Sequence, residues 1–162
     1  MNRFATIRRV LTLLLLALWW GGFSFYAGRV VFIGHEILRS KVRQGFVTER
    51  VTSELNCLAI VTFALVGWEL VATRKPARVR SGVWLAWGVA VAATVGLFLL
   101  HAKLGSLLDF PARQVADDLH FYDWHRAYLW TATVQWLAGL TVLVSFAFPA
   151  CPPTPPNQNP AG

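Results

Sequence analysis

The sequence predicts an all-α membrane protein, a bundle of four transmembrane helices with short connections. Three observations carry that prediction. Of the 162 residues, 56% are hydrophobic and only 14% charged, against about 25% charged in an ordinary soluble domain. The apolar residues gather into four long runs, and a run of roughly 18 or more with few charges reads as a spanning helix. None of the runs alternates as a strand would, and hydrocarbon offers no partner to open backbone groups, so the spans must be helices.

Residues 1–10 form a basic N-terminal segment with Arg3, Arg8 and Arg9. A charged start before an apolar run imitates a signal peptide. The run from Leu11 is too long for one, however, and no small-x-small cleavage site closes it, so a retained first helix is expected at about 11–34. Gly21, Gly22, Gly28 and Gly34 would allow close approach of a neighbour or a bend. The stretch 33–50 is read as a connection that continues the first helix for two turns until Gly45 interrupts it. Thr48, or alternatively Thr52, then caps a second helix over 51–72.

Thr73 to Gly82 is short and basic, and Pro76 stops the preceding helix. Ser81 is placed to cap a third helix, over 82–104. Ala86, Ala90, Ala93 and Gly96 give that helix a small-residue stripe suited to tight packing. Asp109 followed by Pro111 reads as the start of a short interfacial helix from Phe110 to His120. A fourth helix covers 124–148 and ends at Pro149. The tail 149–162, rich in proline and asparagine, has nothing to pack and is read as disordered. Residues 11–148 thus make one membrane domain.

A net charge of +7 could suggest nucleic acid, but the basic residues sit beside apolar runs. Anionic lipid headgroups are their natural partner. A membrane-protein partner or a homo-oligomer fits as well, and nucleic acid does not. Cys57 and Cys151 form no CxxC pair, which argues against a thiol relay. Basic residues concentrate in short segments at the N-terminus and at 74–80. This favours a multi-pass protein of the cell membrane with a cytoplasmic N-terminus.

Four successive spans bring the end of helix 1, the start of helix 2, the end of helix 3 and the start of helix 4 to one membrane face. A polar cluster results from that geometry: Arg29, His35, Glu36, Glu54, Asn56, His101, Asp117, His120, Asp123, His125 and Arg126. It holds every histidine of the chain. Arg29 and Glu54 each sit about one turn inside the apolar limit, where an unpaired charge costs about 2.5–3.5 kcal/mol, so a buried pair is expected. That pair would either fix register or line a small cavity. His101 and His125, on different helices, could bracket a haem iron or bind a divalent metal. Asp117 with His120, and Asp123 with Arg126, have local helical spacing.

Gln135 lies near the midplane and should face the bundle, while Thr131 can bond its own helix. Glu69 is within reach of Arg74 or water. Trp84, Tyr122, Trp124 and Tyr128 read as interface anchors. No zinc, P-loop, dinucleotide or nucleophile motif occurs, so the residues name no catalytic group and no cofactor.

Trp19 to Gly22 in the first helix, His101 ending the third, and Tyr-x-x-His-Arg at Tyr122 to Arg126 give the chain a layout over most of residues 11–148. It resembles the small four-helix integral membrane proteins grouped as domains of unknown function. That resemblance implies the fold and supplies no catalytic residue. The sequence therefore points to a non-enzymatic assembly or structural partner within the membrane. The alternatives are a haem- or metal-handling protein using His101 and His125, and a small proton-coupled carrier using Arg29 and Glu54.

Overall fold

A computed structural model describes residues 3–73, 77–109, 114–115 and 118–148, with side chains throughout except at 41–42, 77–80, 108–109, 114–115 and 118–119. The first span is one continuous helical rod made of α1 (Arg3–Phe25), a π-helical turn (Tyr26–Val30) and α2 (Val31–Leu38). Next come α3 (Lys41–Ala72), α4 (Ala77–Ser106) and α5 (Asp118–Ala147). Four helices are long and apolar enough to cross a membrane: Arg3–Leu38, Arg43–Ala72, Ser81–Ser106 and His120–Ala147. About 20 residues suffice to span the hydrocarbon. Each rod of 26 to 36 residues therefore carries its ends beyond it.

The four spans are those the sequence predicts, but their junctions differ. The stretch 33–50 is helical almost throughout, and the connection shrinks to Arg39 and Ser40. Arg39 takes the left-handed conformation (φ 47°), with its N–H bonded to the His35 carbonyl at 3.2 Å. That is a helix-ending geometry more often given to glycine. Ser40 then turns extended, and its hydroxyl accepts from Arg43 N at 3.4 Å, which makes it the N-cap of α3. The cap is thus neither Thr48 nor Thr52. Thr52 is buried, and its hydroxyl donates to the Thr48 carbonyl at 2.8 Å. Gly45 does not interrupt the helix, because packing against α2 overrides one residue's weak propensity.

The expected interfacial helix at Phe110–His120 gives way to something smaller. Leu108–Asp109 (β1) pairs antiparallel with Gln114–Val115 (β2), and Asp118–His120 already belong to α5. Residues 110–113 and 116–117, and the predicted tail 149–162, lie outside the described residues.

The core runs along the bundle axis through Leu16, Trp19, Ala59, Phe63, Val66 and Val142. Trp19 meets Phe63 edge-on, with centroids 5.0 Å apart, and it also packs closely against Gly139. A Cβ at Gly139 would stand 2.5 Å from Trp19 Cζ3, so only glycine admits that ring. α4 and α5 are the most closely apposed helices. The predicted small-residue stripe explains why: Ala90 and Ala93 are buried, and a Cβ at Gly96 would just touch Thr131 Cγ2 at 3.5 Å. Outward, Leu14, Leu18, Leu85, Leu99 and Trp130 are exposed, as suits a lipid-facing surface.

Two polar layers cross the bundle below the histidine-bearing end. At mid-height the Gln135 amide, 1% exposed, donates to Thr94 Oγ1 at 2.7 Å, and that hydroxyl donates to the Ala90 carbonyl at 2.7 Å. Gln135 thus faces the bundle as its depth demands, and Thr131 bonds its own helix at the Ala127 carbonyl, 2.9 Å away. At the end holding the N-terminus, Arg8 and Glu69 form an ion pair with side chains 13% and 6% exposed. Glu69 also accepts from Thr73 Oγ1 at 2.8 Å, and Arg9 donates to the Phe146 carbonyl at 3.2 Å. Glu69 therefore turns to the first helix, and Arg74 lies outside the described residues.

Candidate functional site

At the opposite end the helices do not close. A cavity of about 640 Å³ opens among the end of the first span, the start of α3, the end of α4 and the start of α5. That is the size range in which small ligands bind, about 300–1,000 Å³. Its wall is mostly apolar, with Phe23, Ala27, Val31, Leu104, Phe121, Leu129 and Ala132. Set into it are His35, His101, His125, Glu49, Gln44, Thr48, Thr52, Tyr26, Tyr122 and Tyr128.

Each polar member owes its position to a feature of the local fold. The early start of α3 carries Gln44, Thr48, Glu49 and Thr52 alongside the first span. Gln44 is 3% exposed and lies so close over Gly34 that a Cβ there would collide with the Gln44 amide. Tyr26 opens the π-helical turn. Such a turn adds a residue to one helical turn and is frequent at functional sites. Tyr26 is buried, at 7% exposure, and its hydroxyl has no hydrogen-bond partner among the described residues. Thr48 is a polar neighbour of that hydroxyl in the same wall.

Across the cavity, His101 Nε2 stands 3.2 Å from Glu49 Oε1, with side chains 19% and 29% exposed. The Tyr128 hydroxyl accepts from Asn56 Nδ2 at 3.2 Å, and its ring lies 6.4 Å from that of His101. His125 lies parallel to Phe121, with centroids 5.8 Å apart and planes 7° apart, and both residues belong to the cavity wall.

Of the residues predicted to form one polar cluster, His35, His101 and His125 share this wall. Asn56 stands behind it, bonded to Tyr128. Of the others, those whose side chains are described do not line it. His120 and Glu36 are exposed. Asp123 and Arg126 make the expected local pair at 3.6 Å on the exposed side of α5, and Asp117 lies outside the described residues.

The expected Arg29–Glu54 pair does not form. Glu54 instead bonds Arg50 one turn away at 3.2 Å, both side chains mostly exposed, and Arg29 is exposed on the π-helical turn. The reason is rotational. One added residue in a turn swings the later part of the rod by about 100° relative to a straight helix. Matching depth therefore does not give Arg29 the matching direction. Arg29 and Glu54 thus do not face each other as a buried pair.

His101 and His125 do line one cavity, as a shared metal or haem site would require. His101 Nε2 is already engaged by Glu49. Among the described residues no three histidine, cysteine or acidic side chains close on a single point, so the geometry does not assemble a protein-only chelate for a divalent ion.

Glu49, Gln44, Thr48 and Tyr26 are site residues that sequence reasoning misses. It places Glu49 in a connection and Tyr26 among the aromatics of an apolar run. Tyr128, expected as an interface anchor, is buried at 7% exposure. The available signal is a polar stripe at Gln44, Thr48, Glu49, Thr52 and Asn56 with helical spacing. It becomes visible only once α3 is allowed to begin near Lys41.

Compared with known proteins, the chain matches no family model, no curated protein and no solved structure. The protein is a four-helix, largely hydrophobic membrane bundle on the strength of its own helices. The resemblance to a group of four-helix membrane proteins extends no further than that architecture.

Proposed function

We propose that this membrane protein binds a small, largely apolar molecule at the histidine-bearing end of its bundle. The observation that carries the reading is the convergence of His35, His101, His125 and Glu49 on one apolar-walled cavity of about 640 Å³. A few placed polar groups in a mostly apolar hollow are the usual make-up of a small-molecule site. With the N-terminus in the cytoplasm, as the basic segments favour, the cavity lies on the outer side of the membrane.

The test is to purify the full chain in mild detergent and extract what comes with it. A small molecule present with the wild-type chain and lost from Ala132→Phe, which fills the cavity wall, is the expected result. A passive assembly subunit leaves the cavity without a use. A protein partner that co-purifies equally with wild type and Ala132→Phe, with no extractable small molecule, would favour that role instead.

A second reading, haem handling, is supported by His101 and His125 lying on the same wall. It requires His101 to turn Nδ1 to the iron while Nε2 stays on Glu49, or to give up Glu49. A Soret band in the purified chain, lost in both His101→Ala and His125→Ala, would establish it.

A further inference from the structure

We infer that the cavity takes an uncharged, lipid-soluble carbonyl compound of the quinone type, held by a hydrogen bond from the Tyr26 hydroxyl and reaching its place from within the bilayer. This rests on the cavity being a binding site and adds the class of ligand. The Tyr26 hydroxyl is buried in the wall with no partner among the described residues. Buried polar groups are nearly always satisfied, so an orphan at a cavity surface marks where a ligand atom or water belongs. A hydroxyl that lacks an acceptor is met by a carbonyl oxygen, while Gln44 Oε1, the other orphan of the same wall, takes a donor such as a water that enters with the ligand.

Charge narrows the class. Among the described residues the wall carries no arginine or lysine, and its carboxylate, Glu49, is already paired with His101. A carboxylate or phosphate ligand would find Glu49 and no cation, while an uncharged one meets no opposing field. Shape narrows it again. The stacked, parallel rings of Phe121 and His125 belong to the cavity wall, and a planar ligand ring can extend that stack.

The route of access points the same way. A crevice of about 240 Å³, lined by Ser24, Thr133 and Trp136, shares Phe23 and Ala27 with the main cavity. It lies between the first span and α5, at the height of the apolar segments. Its Trp136 indole N–H is fixed on Ser24 Oγ at 2.8 Å, and Trp136 stacks on Trp20 at 5.1 Å. The crevice therefore has a rigid aromatic lip on the lipid side. Phe23 and Ala27 are thus all that stands between the cavity and a crevice open to a molecule dissolved in the bilayer.

The experiment uses the full chain in lipid nanodiscs. It measures retention of a decyl-substituted benzoquinone and of decylbenzene, which lacks both carbonyls, over that by empty discs. Wild type is expected to retain the quinone preferentially, and Tyr26→Phe to weaken that retention about five- to tenfold, the value of one hydrogen bond, while leaving decylbenzene unchanged. Ala132→Phe should abolish retention of the quinone. Ala27→Trp, at an exposed position on the shared lip, should do the same should Ala132→Phe fail to fold. Equal retention of both probes with no effect of Tyr26→Phe overturns the carbonyl assignment and leaves the cavity reading in place. Retention of neither probe, while a co-purified molecule is still lost from Ala132→Phe, also overturns the ligand class alone. Quinone retention unaffected by Ala132→Phe and by Ala27→Trp overturns both.

Discussion

At the end of the bundle that holds the N-terminus, Arg8 and Glu69 meet as a nearly buried pair, with Thr73 and the Phe146 carbonyl taking up further bonds. At the other end Glu49 and His101 also meet across helices, but their side chains are more exposed, and they stand beside a hollow rather than inside packing. Both ends face the same problem of charge at the edge of an apolar bundle. One end solves it by closure, with partners supplied by the chain. The other leaves a hydroxyl unpaired and space beside it. The contrast separates polar residues that hold the helices together from polar residues kept for something else.

The sharpest way to break this contrast is at the closed end. Glu69→Ala should cost about 3–5 kcal/mol, because it strands the Arg8 guanidinium in a buried site. Replacing both, as Arg8→Met with Glu69→Leu, should restore most of that. Thermal denaturation in detergent measures it, and a single-variant loss no greater than that of His101→Ala would undo the distinction between the two ends.

Gly139→Val should cost about 1–3 kcal/mol by overpacking, since Trp19 lies where the new carbons would go. A Trp19→Leu background should relieve it, and a loss of equal size in that background would contradict the cause given. Gln135→Leu, which breaks the mid-height bond to Thr94, should cost about 0.6–2 kcal/mol, the range for bonds between membrane helices. The same denaturation assay reads it, and an unchanged midpoint would mean the bond holds nothing.

At the open end His101→Ala should cost less than about 1 kcal/mol, the value of a partly exposed pair, while reducing ligand recovery. A large loss of stability there would make the pair structural. The smallest effect is expected at Arg39→Gly. Relieving a left-handed side-chain conformation is worth about 1 kcal/mol or a little more, offset by glycine's greater freedom when unfolded. The change in denaturation midpoint should be slightly positive or nil.

The four spans were legible because lipid imposes a simple rule on length and polarity, and the inward aim of Gln135 came from the same rule. Junctions and pairings were not. Ser40 gives no stronger signal as a cap than Thr48 or Thr52 until the left-handed turn at Arg39 is seen to end the preceding helix. The histidines of three helices could be brought to one face by counting spans. Their neighbours Tyr26 and Glu49 could not, because one depends on a π-helical turn and the other on where α3 begins. Arg8 and Glu69 are 61 residues apart, and only the packing of α1 on α3 makes them partners. Arg29 and Glu54 had matching depth but not matching direction, and depth is all that a hydropathy pattern encodes.

The junction at Arg39 and Ser40 has a mechanical consequence. With only two residues between α2 and α3, the first two rods are clamped together like the arms of tongs at the rim of the hollow. Any widening of that rim must therefore come from the other hairpin, α4 and α5, swinging as a leaf against the clamped pair. That hairpin meets the clamped pair along two seams, α3 with α4 and the first rod with α5, and the Trp20–Trp136 stack bridges the second.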